Sequence, residues 1–529
     1  MRQTPRALRG MVTAPHALAS QAGLAVLRDG GNAVEAMVAA AATIAVVYPH
    51  MNSIGGDGFW LIHEPGEEPV AIAACGGAAA LADRNFYRQQ DHARIPSRGG
   101  PAALTAAGTV DGWREALTVA SRWGNALPLP RLLEEAIHHA RHGIAVTASQ
   151  ARLTREKLPE LRDQPGFGEV YLQDGEPPAE GAILQQPRLA DTLARLSRAG
   201  LEDFYRGELA RDMAADLEKA GSPLRLADLE NYRAARVKPL QVTLPGATAY
   251  NLPPPTQGLA SLMILGIFVR LDCPAADGYA HVHGLVEATK QVFLVRDRYL
   301  TDPAYMEVEP GEFLSTAYLA EAAAAVHPAR ALPWPQSRPG GDTIWMGAAD
   351  RDGRMVSFIQ SVYWEFGSGV VLPGSGVCWQ NRGISFSLED DALQALRPGR
   401  LPFHTLNPAL ARFRDGRTLV YGTMGGEGQP QTQAAVFSRY ARFQQSLQQA
   451  VSAPRWLLGR TWGEQSTGLK LEARFPGEVL EGLRAAGHTV EVVEDFSDTM
   501  GHAGAIALRP DGVLEGATDP RADGVVAAY

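Results

Sequence analysis

Cysteine is scarce in this chain. Cys75, Cys273 and Cys378 are the three in 529 residues, far apart and without a Cys-x-x-Cys pair. That excludes a disulfide framework and a thiolate zinc site. No Lys/Arg tract occurs and the net charge is -9, so the basic footprint of a nucleic-acid binder is missing. Long apolar runs are missing too. The longest, the 13 residues 36–48, falls short of the roughly 20 that cross a bilayer. Arg2, Arg6 and Arg9 are not followed by the apolar stretch of a signal peptide. The expectation is a cytoplasmic protein with neither nucleic acid nor membrane as partner.

What is present is an ordinary globular composition, 45% apolar and 20% charged, on a chain several times longer than one core requires. Residues 17–29 have helical periodicity ending at Gly30-Gly31, and Asn32 is placed to cap a second, alanine-rich helix through Val47. A glycine loop, 55–58, precedes a strand at 59–62. Further helices are expected at 132–142 and 259–269, the latter after the rigid turn 251–258. Residues 327–341 carry Pro328, Pro333, Pro335, Pro339 and Gly340-Gly341 and read as an exposed linker. Beyond it the pattern turns to strands. One hairpin joins 343–349 to 355–364 through Arg351-Asp352-Gly353, and another joins 409–413 to 418–423 around Asp415-Gly416. The second ends in Met424-Gly-Gly-Glu-Gly428, with a helix beginning near Gln431.

Candidate chemistry centres on Asp342-Thr343. A hairpin centred on Asp352 pairs residues whose numbers sum to 704, which sets Thr343 opposite Ser361, give or take a bulge. A threonine that opens a strand after a cleavable linker can, once freed, use its own α-amino group as base for its hydroxyl. Gly425-Gly426 between strand and helix is either a tight turn or a pair of N–H groups for an oxyanion, and no Gly-Lys-Ser/Thr follows to make it a phosphate loop. Glu134, His138 and His142, with His139 alongside, share a helical face. No His-Glu-x-x-His order or further ligand accompanies them, so a solvated face is expected, with no metal and no cofactor.

A series of short motifs then resembles the γ-glutamyltranspeptidase family over almost the whole chain. Met11-Val-Thr-Ala-Pro-His16, Gly30-Gly-Asn-Ala-Val-Glu-Ala36, Asn52-Ser-Ile-Gly-Gly-Asp-Gly-Phe59 and Gly108-Thr-Val-Asp-Gly-Trp113 come first. Asn231-Tyr232, Pro253-Pro-Pro-Thr-Gln-Gly258, Asp302-Pro303, Gly341-Asp-Thr343, Phe366-Gly-Ser-Gly369, Asn407-Pro408 and Gly425-Gly426 follow in order. The resemblance implies the αββα sandwich of N-terminal-nucleophile hydrolases. It also implies a proenzyme cut between Asp342 and Thr343 into a large chain, 1–342, and a small chain, 343–529, that stay together. Thr343 becomes the nucleophile, Ser361 stands where a second threonine usually bonds it, and Gly425 and Gly426 frame the oxyanion hole.

The substrate positions depart from the family. Tyr363, Arg382 and Ser385 stand where an Asn, a Glu or Gln, and an Asp hold a donor's α-ammonium. His404 and Thr405 replace paired serines, and Asn381 adjoins them. The large-chain arginine expected near 73–76 is missing. This is similar to the amidohydrolase branch, acting on small amides such as oxamate in purine-nitrogen breakdown. The alternative is a hydrolase or transpeptidase of glutathione-like γ-glutamyl amides. Two readings from other classes stay open: a non-processing amide-binding relative, and a metal amidase built on the histidine face. A homo-oligomer is compatible with the sequence.

Overall fold

The computed structural model describes residues 3–124, 126–334, 342–459 and 468–529. Pro335, Pro339, Gly340 and Gly341 of the expected linker lie outside the described residues.

Two seven-stranded sheets organise the chain. One runs, in spatial order, Arg6–Ala7, Leu514–Thr518, Ala503–Leu508, Thr418–Thr423, Ala409–Phe413, Ala247–Asn251 and Leu240–Leu244. The other runs Val525–Ala528, Gly10–Ala14, Asp342–Asp350, Met355–Tyr363, Asp57–His63, Val70–Ala74 and Ala235–Val237. Neighbouring strands are antiparallel throughout both. Each sheet draws strands from both sides of the Asp342–Thr343 bond. The composition change at the linker therefore marks no spatial boundary.

Between the sheets lies an apolar slot of Phe59, Leu61, Trp345, Ile359, Tyr250, Leu410, Val420 and Ile506. Trp345 spans it and forces glycine on the facing sheet: a Cβ on Gly422 would sit 2.2 Å from its ring. Its indole N–H donates to Ser357 Oγ at 3.0 Å, so burial leaves no orphaned donor.

Helices cover the outer faces. Against the second sheet packs Ala33–Val47, buried along its whole length. Asn32 caps it as expected: its Oδ1 accepts from the Val34 and Glu35 N–H groups, and Glu35 Oε2 accepts from the Asn32 N–H. Against the first sheet pack Gly258–Phe268 and Gln429–Ala441, with Tyr279–Tyr299 laid over them. Helices on both outer faces of two stacked sheets make the chain an αββα sandwich.

Two boundaries differ from the sequence expectation. The strand expected at 59–62 begins at Asp57, because Asp57 and Gly58 pair with Ser361 and Gln360. The helix expected near Gln431 begins at Gln429, because Pro430 is tolerated in its first turn.

Candidate active site

The hairpin sets the nucleophile candidate in place. Its strands pair Ile344 with Gln360 through Ala349 with Met355, the register summing to 704, whereas Asp342 pairs with Tyr363. Thr343 therefore sits at a one-residue irregularity, level with Ser361. It is fully buried, and Gln429 Nε2 donates to its Oγ1 at 3.4 Å. Ser361 Oγ accepts from the Tyr363 N–H at 2.8 Å. Tyr363 and Phe366 have φ of 84° and 59°, a left-handed backbone that side chains larger than glycine rarely adopt. Such strain persists only where surrounding contacts impose it. Here Arg98 donates to the Glu365 and Gly367 carbonyls, and Asn381 Oδ1 accepts from the Trp364 N–H.

Gly425 and Gly426 both have positive φ, 116° and 52°, and lead into the Gln429–Ala441 helix. Among the described residues neither N–H donates to a protein acceptor, which leaves two donors at a helix entry. The turn is held from three sides. Gln257 Nε2 donates to the Gly426 and Thr405 carbonyls, both at 2.8 Å. Arg296 pairs with Glu427 at 3.3 Å. Asn407 Nδ2 donates to Thr405 O at 2.8 Å and to Gln429 Oε1 at 3.1 Å, so Gln429 is oriented with its amide N–H towards Thr343.

The substrate candidates divide. Arg382 is buried, with its guanidinium 3.5 Å from the centre of the Tyr363 ring, and donates to Phe403 O and Thr405 Oγ1 at 3.0 Å each. Burial pushes its pKa down to about 10. His404 packs edge-on to Phe59, its Nε2 3.1 Å from Asp57 Oδ2, and burial holds the imidazole well below its ordinary pKa. Ser385 ends the same short turn as Arg382, its Oγ without a hydrogen-bond partner among the described residues. Asn381 is committed elsewhere: besides Trp364, its Nδ2 bonds Ser97 O at 2.9 Å, so it shapes the loop. In the 73–76 stretch, Cys75 is buried close enough to Asp57 and Arg382 to feel both charges.

Sequence reasoning passed over Asp57, Gln257, Arg296 and Gln429. Asp57, Gln257 and Asn407 lay inside recognised motifs without a role. Gln429 carried no signal beyond following the glycine turn. The histidine face lies on Leu129–His142, where the His138 and His142 rings stand 4.7 Å apart. Among the described residues, His283, Glu287 and His488 also gather within 4.8 Å. There Lys290 Nζ already supplies a cation, 2.7 Å from Glu287 Oε1. No helix among the described residues is long and apolar enough to cross a membrane.

A sandwich of this kind is that of the N-terminal-nucleophile amide hydrolases made as self-processing proenzymes. The chain belongs to the gamma-glutamyltranspeptidase family, whose model matches residues 19–529. It is 55% identical over 521 residues to the oxamate amidohydrolase proenzyme of Klebsiella pneumoniae, covering 98% of each chain. It is 39% identical to the glutathione hydrolase-like YwrD proenzyme of Bacillus subtilis, over 97% of each. The crystal structure of cephalosporin acylase from Bacillus halodurans superposes with a TM-score of 0.91 at 33% identity, covering 100% of this chain and 97% of that one.

Proposed function

We propose that the chain cuts itself between Asp342 and Thr343 and then hydrolyses a short amide that bears a carboxylate and no α-amino group, oxamate above all. In the cut, Thr343 Oγ attacks the Asp342 carbonyl carbon and the amide bond shifts to an ester. Water opens the ester, leaving a carboxylate on Asp342 and a free amine on Thr343. That amine takes the hydroxyl proton as Oγ attacks the substrate amide, and the Gly425 and Gly426 N–H groups receive the oxyanion. The amine returns the proton to the leaving ammonia, and water resolves the acyl-threonine to oxalate.

The observation that carries this reading is the buried Arg382 guanidinium, stacked on Tyr363 and bonded to Thr405. A donor ammonium at about 4 Å would meet repulsion of roughly 4 kcal/mol at an effective dielectric of 20, where a carboxylate would meet as much attraction. Kinship with a protein named oxamate amidohydrolase proenzyme supports it. The test sets ammonia release from oxamate beside nitroanilide release from γ-glutamyl-p-nitroanilide. We expect oxamate to be favoured in kcat/KM. A tenfold advantage for the γ-glutamyl compound would overturn the reading in favour of a glutathione-type hydrolase.

A further inference from the structure

Three neighbouring strands of one sheet present Thr343, Ser361 and Asp57 at one level. Ser361 pairs directly with Asp57 in the register, and Thr343 stands level with Ser361 on the other side. Directly paired residues of antiparallel strands point to the same face. Two residues along, Trp345, Ile359 and Phe59 face the slot between the sheets, so Asp57 faces it too. With strands about 4.8 Å apart, Asp57 stands about 10 Å from Thr343, the reach of a substrate of a few atoms.

The surroundings of Asp57 are half satisfied. Its Oδ1 accepts from the Gly108 N–H at 3.0 Å and Gln380 Nε2 at 3.1 Å. The Gly76 N–H also lies close enough to the carboxyl to favour its charged form, but Oδ2 has no partner of hydrogen-bond geometry among the described residues, nor has either ring nitrogen of His404, although Oδ2 and Nε2 are 3.1 Å apart. Both side chains are 1% exposed. Three buried polar atoms left open at one spot point to an occupant that completes them. The other titratable groups around Asp57 are Arg382, Cys75, and the Tyr205 and Tyr232 phenols. Arg382 is the one cation among them.

We propose that Asp57, carrying a proton and set against His404, completes the anion subsite headed by Arg382 and donates a hydrogen bond to the substrate carboxylate. This rests on the oxamate-type reading above and names the residue that sets its charge selectivity. An ionised Asp57 would cancel Arg382 and repel an anionic substrate. The neutral acid leaves the guanidinium charge available and adds a donor. Burial supports the neutral form, holding the Asp57 pKa up at about 7. Binding above that pH then takes up one proton per substrate, and the bound anion raises Asp57's proton affinity by the same linkage.

The experiment compares oxamate with its uncharged analogue pyruvamide on the processed enzyme between pH 6 and 8.5. For oxamate, KM rises roughly tenfold per pH unit above pH 7; for pyruvamide it stays level, which separates Asp57 from the titration of the Thr343 amine. Asp57→Asn keeps the Oδ1 acceptor, and its processing into two chains on a denaturing gel checks folding. In this variant the oxamate KM no longer moves with pH. Oxamate turnover with a level wild-type KM, or a slope that persists in Asp57→Asn, overturns the assignment and leaves the substrate reading standing. Absence of oxamate turnover at every pH overturns the substrate reading and this inference with it.

Discussion

Arg382→Met separates the charge of Arg382 from its bulk. The methionine keeps much of the volume beneath Tyr363 and removes the guanidinium. A hydrogen bond to a charged group contributes about 1.5–3 kcal/mol, so KM for oxamate should rise roughly tenfold to 150-fold. Folding should suffer less. Burial opposes the charge of Arg382 and pushes its pKa down to about 10, so removing the guanidinium relieves part of a desolvation cost. Against that relief, Phe403 O and Thr405 Oγ1 each lose a donor, about 1 kcal/mol apiece. The variant should therefore still cut itself. Ammonia release is measured with oxamate and pyruvamide under the same conditions: the oxamate KM climbs, while the pyruvamide KM stays within about threefold. An equal loss on both substrates would refute the reasoning, because Arg382 would then be holding the loop and not the carboxylate. An unchanged oxamate KM would refute it more simply.

Thr343→Ala should remain a single chain and be inactive, and Thr343→Ser should cut slowly. N-terminal sequencing of the smaller band reads Thr-Ile-Trp-Met in the wild type, and an uncut chain with full amidase activity would defeat the mechanism. Gly426→Ala imposes a left-handed backbone on alanine, costing about 1–2 kcal/mol. It also disturbs a proposed oxyanion donor, of the kind whose loss costs about 2.7–4 kcal/mol; kcat should fall a hundredfold or more with KM less affected, and wild-type kinetics would make the glycines only a turn. Stability should fall on acidification. Burial holds His16 and His63 at about 4, and His281 and His488 at about 3. Below pH 6.5 the unfolded chain takes up protons that these folded sites refuse, so their contribution is present above 6.5 and lost towards pH 3–4, at up to about 1.4 kcal/mol per pH unit for each. Asp57 opposes this, since the folded state gains its proton first as pH falls through 7. Glu35 and Asp350, also raised by burial, act with Asp57, and His50 and His404, also lowered, act with the four histidines; the histidines outweigh the carboxyls, and a thermal midpoint that stays level from pH 7 to 5 would contradict the balance.

What could be read from the sequence followed from local rules. The hairpin register needed only a period of two and a glycine turn, and the pairs from Ile344 with Gln360 to Ala349 with Met355 are the expected ones, with the allowed bulge falling at Thr343. The cap at Asn32 needed one side chain and a glutamate three residues on. Asp57 was misjudged for the same reason: in Gly55-Gly-Asp-Gly58 every local preference favours a loop, and it becomes strand through pairing with Ser361 and a bond to Gln380, which is 323 residues away. Gly58 assists, since a Cβ there would meet the Phe358 ring at 3.0 Å. Gln429 and Asn407 were hidden likewise, for their roles exist only where the Gln429–Ala441 helix, the 404–407 segment and the Asp342–Asp350 strand converge. The nucleophile candidate was legible because its chemistry lies in its own residue and its place in the chain. The pocket proposed to select the substrate is an intersection of segments 57–59, 363, 382 and 404–405. The chemistry proposed for it is a property of their approach: Asp57, His404 and Arg382 are unremarkable alone, and the fold buries them together.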